Sequence, residues 1–571
     1  MKNREIADIF THMADILEFK GESPFKVNAY RKGARVLEDL TDDLETLAAD
    51  NKLGEIPGIG KALQGKIEDY LKNGSIHQYD ELLNDIPGDL FKLLQIPGFG
   101  PKTAALAWEK LKIGTLTELD QAIQSGELAK LPGMGEKRVE NIRKGVELQK
   151  TASERLSIGL AVPIVDHVIE YLREQCGDRI EKITVAGSTR RGRETVHDID
   201  LLAVSNDGPD IIATFTKIPN TTQVLGSGNT KGSIIYNDQV QIDLRVVPAE
   251  SYGAAMQYFT GSQAHNVKLR GIAKAMGYKI NEYGIYKGEE QVGGSTEKEI
   301  YEQLNMDWIP PEMREDRGEI ELAQRHDLPD LIKDTDMQAD LHIHSKYSDG
   351  QLTVAEMAQA LQEFGYHFMA ITDHSQSAFY ANGLDRDRLF KQIDEVRELN
   401  EKNPDFTILA GTEVDILPNG DLDFPDDLLE KLDFVVASIH SAFTTDPTNR
   451  TLNAMRNPYV DVIGHPSGRL ISRREGFQLD YDAIFETALS TGTALEVNAY
   501  WDRLDLSDIR IQQAVSKGVK ISINTDSHHT HHLGMMRFGI ATARRGWATP
   551  NDVINTLSLP ELRKWQKRSR I

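Results

Sequence analysis

The sequence predicts a multidomain protein of mixed α+β and α/β class, and three observations support this prediction. The chain has 571 residues, which is more than a single hydrophobic core usually accommodates. A motif of the form apolar-Pro-Gly-x-Gly occurs three times before residue 136, each time at the start of a helical pattern. After residue 338, seven short apolar runs alternate with helical stretches, which predicts a barrel of parallel strands.

The composition is that of a globular protein without disulfides. Hydrophobic residues make up 40% of the chain and charged residues 27%. The single cysteine, Cys176, excludes an internal disulfide framework and a cysteine-based zinc site, and it favours a reducing compartment. The N-terminal residues MKNREIADIF have no apolar signal core, and no segment has the length and hydropathy of a membrane span. We therefore expect a cytoplasmic protein with no membrane partner.

The formal net charge of −23 bears on possible nucleic-acid binding. A protein that binds DNA normally presents a basic face. Binding responds to the local potential within a Debye length of about 8 Å, however, and the charge of distant domains is screened. The acidic total therefore predicts modest DNA affinity with a strong salt dependence, rather than no binding.

The first two predicted domains, residues 1–85 and 86–150, are helical and contain the three repeated motifs. Glycine permits the tight turn, and the helix that follows presents free backbone N–H groups to a phosphate. The motif glycines are Gly58 and Gly60, Gly98 and Gly100, and Gly133 and Gly135. One such turn could be an ordinary helix connection, but three indicate helix-hairpin-helix motifs that bind DNA without reading its bases.

Two alternating strands supply the predicted catalytic acids of residues 151–248. Asp198 and Asp200 are two residues apart on one strand, so their side chains point to the same face. Asp243 lies on a second strand, residues 240–247. Three carboxylates from two strands suit two Mg²⁺ or Mn²⁺ ions at a phosphoryl-transfer centre. The Asp-x-Asp pattern alone could be a solvated strand end.

A turn of small residues precedes these acids. Gly187 and Ser188 are expected to direct backbone N–H groups and a hydroxyl towards the phosphates of a nucleotide. Arg190 or Arg191 would add positive charge near the leaving pyrophosphate.

The motifs GSTRRG, HDID and IDLR resemble the nucleotidyltransferase core of family X DNA polymerases, the polymerase beta type. The resemblance implies a beta-type palm over residues 151–248 and a nucleotide-selecting subdomain over 249–318. We expect a linker over 319–338, where the chain is charged and rich in turn residues.

The run YFTGS, residues 258–262, matches the sugar-sensing segment of the same family. The resemblance implies that Tyr258 and Phe259, ahead of Gly261, crowd the 2′ position of the incoming sugar. It also implies that Asn266 contacts the nucleotide and Arg270 approaches the templating strand. Residues 263–265 differ from the family motif and are expected to lie on the side that faces the nucleotide. The resemblance therefore does not determine the contacts with the base. Without the core motifs, YFTGS could be a strand and turn with ordinary packing aromatics.

A further resemblance concerns the N-terminal domain. The segment FKVNAYRKGARVL resembles the lyase domain of polymerase beta, and Lys66 falls at the position of its Schiff-base lysine. This implies removal of a 5′-deoxyribose phosphate by amine attack, provided that the lysine pKa is lowered. The alternative is a solvated helix lysine near DNA.

Residues 339–571 contain ten of the sixteen histidines of the chain, and six of the seven apolar runs end in His, Asp or Glu. Strand ends of this kind converge at one face of a parallel barrel. The motifs DLHIHSKYSDG, ITDHS, GTEVDI, SIH, GHPSG and TDSHH resemble the PHP (polymerase and histidinol phosphatase) family of metal-dependent phosphoesterases. The resemblance implies a distorted (β/α)7 barrel.

The resemblance also implies a trinuclear metal site. The first ion would be held by His342, His344, Glu413 and Asp526, the second by Glu413, His440 and His465, and the third by Asp349, His374 and His528. A mixture of histidine and carboxylate suits two to three Mn²⁺, Zn²⁺ or Fe²⁺ ions, and the sequence does not choose among these metals.

Together the resemblances imply a monomeric, template-directed DNA polymerase that fills gaps during repair. Its partners would be gapped or primed DNA and a dNTP, and its PHP domain would act as a 3′–5′ exonuclease or an abasic-site endonuclease. The alternatives are a template-independent nucleotidyltransferase, a polymerase with a purely structural PHP domain, and a free phosphatase of small esters.

Overall fold

The computed structural model describes residues 2–38, 40, 44–49, 52–56, 58–83, 86–94, 96, 98–153 and 155–570. The chain divides into two compact units. The first contains residues 1–152 with 472–474, and the second contains residues 153–471 with 475–571. In the described part of the chain, no helix combines the length and the hydropathy that a membrane crossing requires.

The first unit is helical, as the sequence predicts. Its helices are α1 (Lys2–Phe19), α2 (Pro24–Glu38), α3 (Leu44–Ala49), α4 (Lys61–Asn73), α5 (His77–Leu83), α6 (Leu90–Leu94), α7 (Pro101–Leu111), α8 (Leu116–Gln124) and α9 (Glu136–Ser153). One core surrounds Phe10 and Leu63, and a second surrounds Phe99 and Ile142. Helix α1 contributes to both cores, because Ile16 packs in the second one.

The three repeated motifs adopt the same local structure. The first glycine of each motif has a left-handed backbone, with φ of 95° at Gly58, 83° at Gly98 and 76° at Gly133. The second glycine, Gly60, Gly100 or Gly135, directly precedes α4, α7 or α9. A Cβ added at any of these second glycines would meet no atom within 4 Å, so the start of each helix is open to an approaching backbone. Pro57 and Pro97 of these motifs lie outside the described residues.

The palm begins the second unit and is built on a five-stranded sheet of order β2-β4-β7-β6-β5. The strands are β1 (Leu156–Ser157), β2 (Lys182–Val185), β3 (Thr195–Val196), β4 (Asp198–Val204), β5 (Thr221–Ser227), β6 (Lys231–Tyr236) and β7 (Val240–Val247), and the helices are α10 (Ile158–Cys176), α11 (Gly187–Arg190) and α12 (Gly208–Phe215). Strands β1 and β3 form a separate pair. The core lies between the sheet and helices α10 and α12.

The predicted nucleotide-selecting subdomain, residues 249–318, follows with helices and a small antiparallel sheet of order β10-β9-β8. Its elements are α13 (Tyr252–Thr260), α14 (Gln263–Ala275), β8 (Tyr278–Asn281), β9 (Gly284–Lys287), β10 (Glu290–Gly293), α15 (Glu297–Glu302) and α16 (Glu319–Gln324). The predicted linker over 319–338 therefore begins as a helix. Ile320 and Ala323 of α16 are buried in the subdomain core, a short apolar face that the surrounding charges obscure in the sequence.

The C-terminal domain is a seven-stranded parallel barrel with strands in sequence order, as the sequence predicts. The strands are β11 (Ala339–Ile343), β12 (Phe368–Ile371), β13 (Thr407–Asp415), β14 (Phe434–Ser438), β15 (Val462–Ile463), β16 (Ala494–Asn498) and β17 (Ile521–Asn524). The helices are α17 (Val354–Glu363), α18 (Arg386–Lys402), α19 (Asp426–Leu429), α20 (Pro447–Arg456), α21 (Tyr481–Thr491), α22 (Asp508–Ser516), α23 (Thr530–Leu533), α24 (Met536–Arg545) and α25 (Leu559–Trp565). The first and last strands meet where His344 N donates to Ser527 O at 2.9 Å, so the strand ends surround one mouth.

Candidate active sites

The three palm aspartates lie together at one edge of the sheet. Strands β4 and β7 pair in parallel, and Asp200 is opposite Asp243 in their register. Asp198 is on the same strand face as Asp200, because the two residues are two apart. Lys231 Nζ lies 2.8 Å from Asp243 Oδ2 and orients that carboxylate. The structure thus brings together the acids that the sequence separates by more than 40 positions.

The charge of this group favours a bound cation. Burial, followed by the negative charges of Asp198 and Asp243, raises the pKa of Asp200 to about 7. Burial alone would raise the pKa of Asp243 as well. Hydrogen bonds from Lys231, Ser233 and Gln241 outweigh this effect of burial, and the pKa of Asp243 is lowered. Carboxylate oxygens are the ligands that Mg²⁺ prefers, and an ion between them would remove the repulsion that holds a proton on Asp200.

Gly187 is required by the position of Asp200. Its backbone φ is +60°, and a Cβ at this position would lie 2.2 Å from Asp200 Oδ2. Only glycine fits both constraints without displacing the carboxylate. Ser188 follows Gly187 in α11 and is half-buried.

The two arginines of this turn are already paired with protein groups. Arg190 forms a bidentate pair with Glu297, with NH1–Oε1 and NH2–Oε2 distances of 2.8 and 2.6 Å. Arg191 Nε donates to Glu315 Oε1 at 3.1 Å, and Arg191 NH1 donates to the carbonyl of Thr260. The phosphate contact of Arg191 therefore stays a prediction.

A residue of the barrel also supports this turn. Arg545 NH1 on α24 donates to the carbonyl oxygen of Arg191 at 2.8 Å and to Glu315 Oε1 at 2.9 Å. Its NH2 group donates to Asp508 Oδ2 at 2.8 Å. The Arg545 side chain is only 3% exposed, so this network is shielded from solvent. Because its partners are far apart in the sequence, no local pattern predicted it.

The predicted sugar-sensing residues lie at the end of α13, which excludes the strand-and-turn alternative. The Tyr258 and Phe259 rings meet edge to face at 5.1 Å. The Arg245 guanidinium lies 4.2 Å from the Phe259 centroid, and that of Arg270 lies 5.9 Å from the Tyr258 centroid. Gly261 has a left-handed backbone, with φ of +73°.

Two nearby side chains are engaged within the protein. Asn266 Nδ2 donates to the Tyr258 carbonyl at 2.7 Å, and Asn266 Oδ1 accepts from Gln257 Nε2 at 2.7 Å. His265 is fully buried and contacts Glu319 Oε1 at 2.7 Å through Nδ1. The His265 side chain, which departs from the family motif, therefore lies inside the subdomain. The expectation that this residue faces the nucleotide is wrong.

Lys66 lies on α4 and is half-buried. Burial, followed by the positive charge of Lys26, lowers the Lys66 pKa. Its Nζ atom lies 5.8 Å from the Tyr30 ring centroid and 3.3 Å from the Ala62 carbonyl oxygen. A lowered pKa is what an amine nucleophile needs, so the lyase role remains a prediction with a physical basis.

All nine predicted metal ligands of the barrel meet at its mouth. Glu413 is central to the group: its carboxylate oxygens lie 3.5 Å from His342 Nε2, 3.7 Å from His344 Nε2, 2.9 Å from His374 Nδ1, 3.2 Å from His440 Nε2 and 3.0 Å from His465 Nε2. Asp526 Oδ1 lies 3.0 Å from His344 Nε2, and Asp349 Oδ1 lies 3.3 Å from His528 Nε2. We call these nine residues the barrel ligand cluster.

The cluster fits metal ions rather than a simple polar core. His342 Nε2 and His344 Nε2 are buried and make no hydrogen bond of good geometry, although both face carboxylate oxygens. Burial, with the charges of His528 and His374, lowers the His344 pKa to about 4, which keeps that ring in the neutral form that binds metals. Three groups of ligand atoms lie within 4.8 Å of one another: His344, Asp349, His374 and His528; His342, His344 and Asp526; and His374, Glu413 and His440.

Two carboxylates that the sequence analysis left without a role hold the ligands in place. Glu496 Oε1 lies 2.7 Å from His342 Nδ1, and its Oε2 accepts from the backbone N–H of His465 at 2.6 Å. Asp415 contacts His440 Nδ1. Such outer carboxylates fix the orientation of a ligating imidazole. Their signal in the sequence is an acid near a strand end: Asp415 is the second acid of GTEVD, and Glu496 is the single acid of ALEVN.

Four family models match the chain. They are a helix-hairpin-helix domain over residues 1–76, a SAM-like helix-hairpin-helix tandem over 90–148, the DNA polymerase beta thumb over 255–315 and the PHP domain over 340–499. The thumb match covers the nucleotide-selecting subdomain, and the PHP match covers most of the barrel.

Curated relatives cover different parts of the chain. DNA polymerase/3′-5′ exonuclease PolX of Bacillus subtilis is 38% identical over 576 residues, which is 100% of both chains. DNA polymerase lambda of Arabidopsis thaliana is 23% identical over 347 residues, 55% of this chain and 62% of that protein. A probable phosphatase of a Thermoanaerobacter species is 28% identical over 232 residues, 38% of this chain and 89% of that protein.

Proposed function

The chain belongs to the family X DNA polymerases that carry a C-terminal PHP domain, and from this premise we propose that it is a template-directed DNA polymerase of gap-filling repair with a 3′–5′ exonuclease. The main support for the polymerase activity is the register of strands β4 and β7, which places Asp200 opposite Asp243 and close to Asp198. The main support for the nuclease activity is the convergence of the nine residues of the barrel ligand cluster.

In the palm, Asp198 and Asp200 would hold two Mg²⁺ or Mn²⁺ ions, and Asp243 would hold the one nearer the primer terminus. Such ions supply charge stabilisation to the attacking and leaving oxygens of an in-line displacement. Asp243 is our candidate to accept the proton of the primer 3′-OH because it would hold the ion at the primer terminus; its lowered pKa keeps it ionised but also makes it a weaker base. Gly187 and Ser188 would bind the triphosphate of the dNTP.

The nucleotide-selecting subdomain would test the sugar. The half-buried Tyr258 and Phe259 rings are held edge to face, and Asn266 fixes the backbone beneath them. We expect the Tyr258 ring to exclude a 2′-hydroxyl by steric contact. Tyr258→Ala should therefore raise ribonucleotide incorporation relative to dNTP incorporation, whereas unchanged sugar selectivity would contradict this role.

In the barrel, the ligand cluster would bind two to three Mn²⁺, Zn²⁺ or Fe²⁺ ions that act as Lewis acids on a phosphodiester. The DNA-facing groups of the first unit would be the amides beside Gly60, Gly100 and Gly135, which contact phosphates and read no bases. We also propose that the protein acts as a monomer in the cytoplasm on gapped DNA.

The deciding experiment incubates purified protein and a gapped duplex with Mg²⁺ or Mn²⁺, with and without dNTPs. Strand growth with dNTPs and shortening without them are expected. Asp198→Ala should abolish growth and keep shortening, and His344→Ala should do the reverse. Loss of both activities in a folded single variant would contradict two separate sites, and equal extension of a single strand without template would favour the template-independent alternative.

A further inference from the structure

Two aromatic side chains that are consecutive in the sequence are exposed, and the second of them lies at the mouth of the barrel. Phe379 is 84% exposed and Tyr380 is 61% exposed. A single exposed apolar residue needs no explanation, whereas two consecutive exposed aromatic residues next to a ligand cluster are a candidate binding surface. The Tyr380 ring centroid lies 6.4 Å from that of His374 and 6.5 Å from that of His440. Both histidines belong to the barrel ligand cluster.

The segment that carries this pair is fixed to the cluster. Leu384 N donates to the His374 carbonyl at 2.7 Å, and Ser375 N donates to the Glu413 carbonyl at 3.1 Å. The backbone is packed so tightly that a Cβ at Gly383 would lie 1.9 Å from the Ser375 carbonyl oxygen. The flanking Ala378 and Leu384 are fully buried. The two exposed rings therefore stand on a rigid loop, and their exposure does not come from a loosely packed segment.

A cation lies at the same mouth. Arg503 Nε is 3.9 Å from Asp526 Oδ2, and Asp526 is a member of the ligand cluster. The Arg503 side chain is partly exposed, so it remains accessible to an anion. A phosphodiester chain that reaches the cluster would thus meet the positive charge of Arg503 and the exposed ring of Tyr380, with Phe379 next to it in the chain. Single-stranded nucleic acid is bound by this combination of basic groups and aromatic side chains.

We propose that Phe379 and Tyr380 form a stacking platform for the unpaired bases at the 3′ end of a DNA strand. The proposal rests on the proposed exonuclease function of the barrel and names its substrate. The Tyr380 ring centroid lies only 6.4 Å from that of His374, so a nucleotide bound at the cluster would have its base close to this ring.

Base stacking explains why the substrate would be unpaired. A paired base at a duplex end exposes one face but is held in line by its partner strand, whereas the bases of a frayed or mismatched 3′ end are free to turn onto the platform. Stacking tolerates every base, so the nuclease would degrade 3′ ends without sequence preference. Loss of a stacking ring is expected to weaken binding by about 5- to 150-fold per base.

The test uses the full chain and a short single strand with 2-aminopurine as its 3′-terminal base. Binding is measured in EDTA, so the readout does not depend on the loaded nuclease. Quenching of the 3′ probe reports stacking, and the same probe at the 5′ end is the control. The double variant Phe379→Ala, Tyr380→Ala should lose the 3′ quenching and bind the strand at least 5-fold more weakly.

Two further variants separate stacking from other effects. Tyr380→Phe keeps the ring and should restore quenching relative to Tyr380→Ala. Phe364→Ala removes an aromatic of the same domain that is 56% exposed outside the cluster, and should leave the quenching unchanged. Unchanged thermal unfolding of the double variant would show that it is folded.

The possible outcomes distinguish a failure of the stacking platform from a failure of the proposed exonuclease activity. If the wild type shortens 3′ ends and the double variant quenches and binds like the wild type, the platform is overturned and the nuclease stands. If the wild type shows no 3′ quenching although it degrades the strand, the rings serve another contact and the platform is again overturned. If the wild type never shortens a 3′ end with any of the three metals, the proposed nuclease itself fails.

Discussion

Asp200→Asn tests the charge balance of the palm site most directly. A rise in pKa from 3.8 to about 7 corresponds to roughly 4 kcal/mol of unfavourable ionisation in the metal-free folded protein. The unfolded chain ionises Asp200 near pH 4, whereas the folded chain keeps the proton up to about pH 7. The metal-free protein therefore loses stability as the pH rises from about 4 to 7, and the asparagine variant avoids this loss.

The expected result is a stability gain for the variant that grows with pH. Between pH 5.5 and 8.5 the difference in unfolding free energy between the variant and the wild type should increase by about 2 kcal/mol. Calorimetry of the full chain in EDTA measures it, and the relevant transition is the one that Mg²⁺ shifts in the wild type. Saturating Mg²⁺ should cancel the gain, because the ion stabilises the ionised acids of the wild type only.

Asp178→Asn is the matched control, since Asp178 is an exposed palm carboxylate. It should leave the pH dependence of stability as in the wild type. The reasoning is refuted if Asp200→Asn changes stability equally at both pH values, or if it destabilises the metal-free protein at pH 8.5. Either result would mean that burial and the neighbouring carboxylates do not raise the Asp200 pKa in the folded protein.

Three other perturbations probe separate parts of the structure. Gly187→Ala would place a Cβ 2.2 Å from Asp200 Oδ2 and displace that carboxylate. Primer extension should then slow by about 100-fold while 3′ shortening persists. An unchanged extension rate would contradict the predicted contact. Glu496→Gln removes the carboxylate that orients His342 and should weaken metal binding at the barrel by about 10- to 100-fold, measured by competition with a chelator. Arg545→Ala removes a buried cation that Glu315 and Asp508 share, while Arg191 and Arg317 remain beside them, and should cost about 1.5–3 kcal/mol in denaturant unfolding, with slower nucleotide addition. Arg397→Ala, at an exposed arginine of α18, is the control that should change neither.

Local patterns in the sequence were sufficient for most elements of the fold. The three glycine motifs predicted three turns because only glycine readily adopts the left-handed φ found at Gly58, Gly98 and Gly133. Strand alternation predicted β7 with its correct bounds, Val240–Val247. The seven apolar runs predicted the barrel, since strands buried on both faces read as continuous apolar segments.

The sequence by itself therefore determined which residue types stand at the ends of which elements. Only the tertiary structure decided their partners: Asp200 opposite Asp243, Glu413 among five imidazoles, Arg191 on Glu315 and the buried His265–Glu319 pair. Periodicity is a property of neighbours along the chain, whereas the protonation and orientation of these groups depend on burial and on charges from distant segments. Those quantities exist only once the strands have paired and water has left the sites.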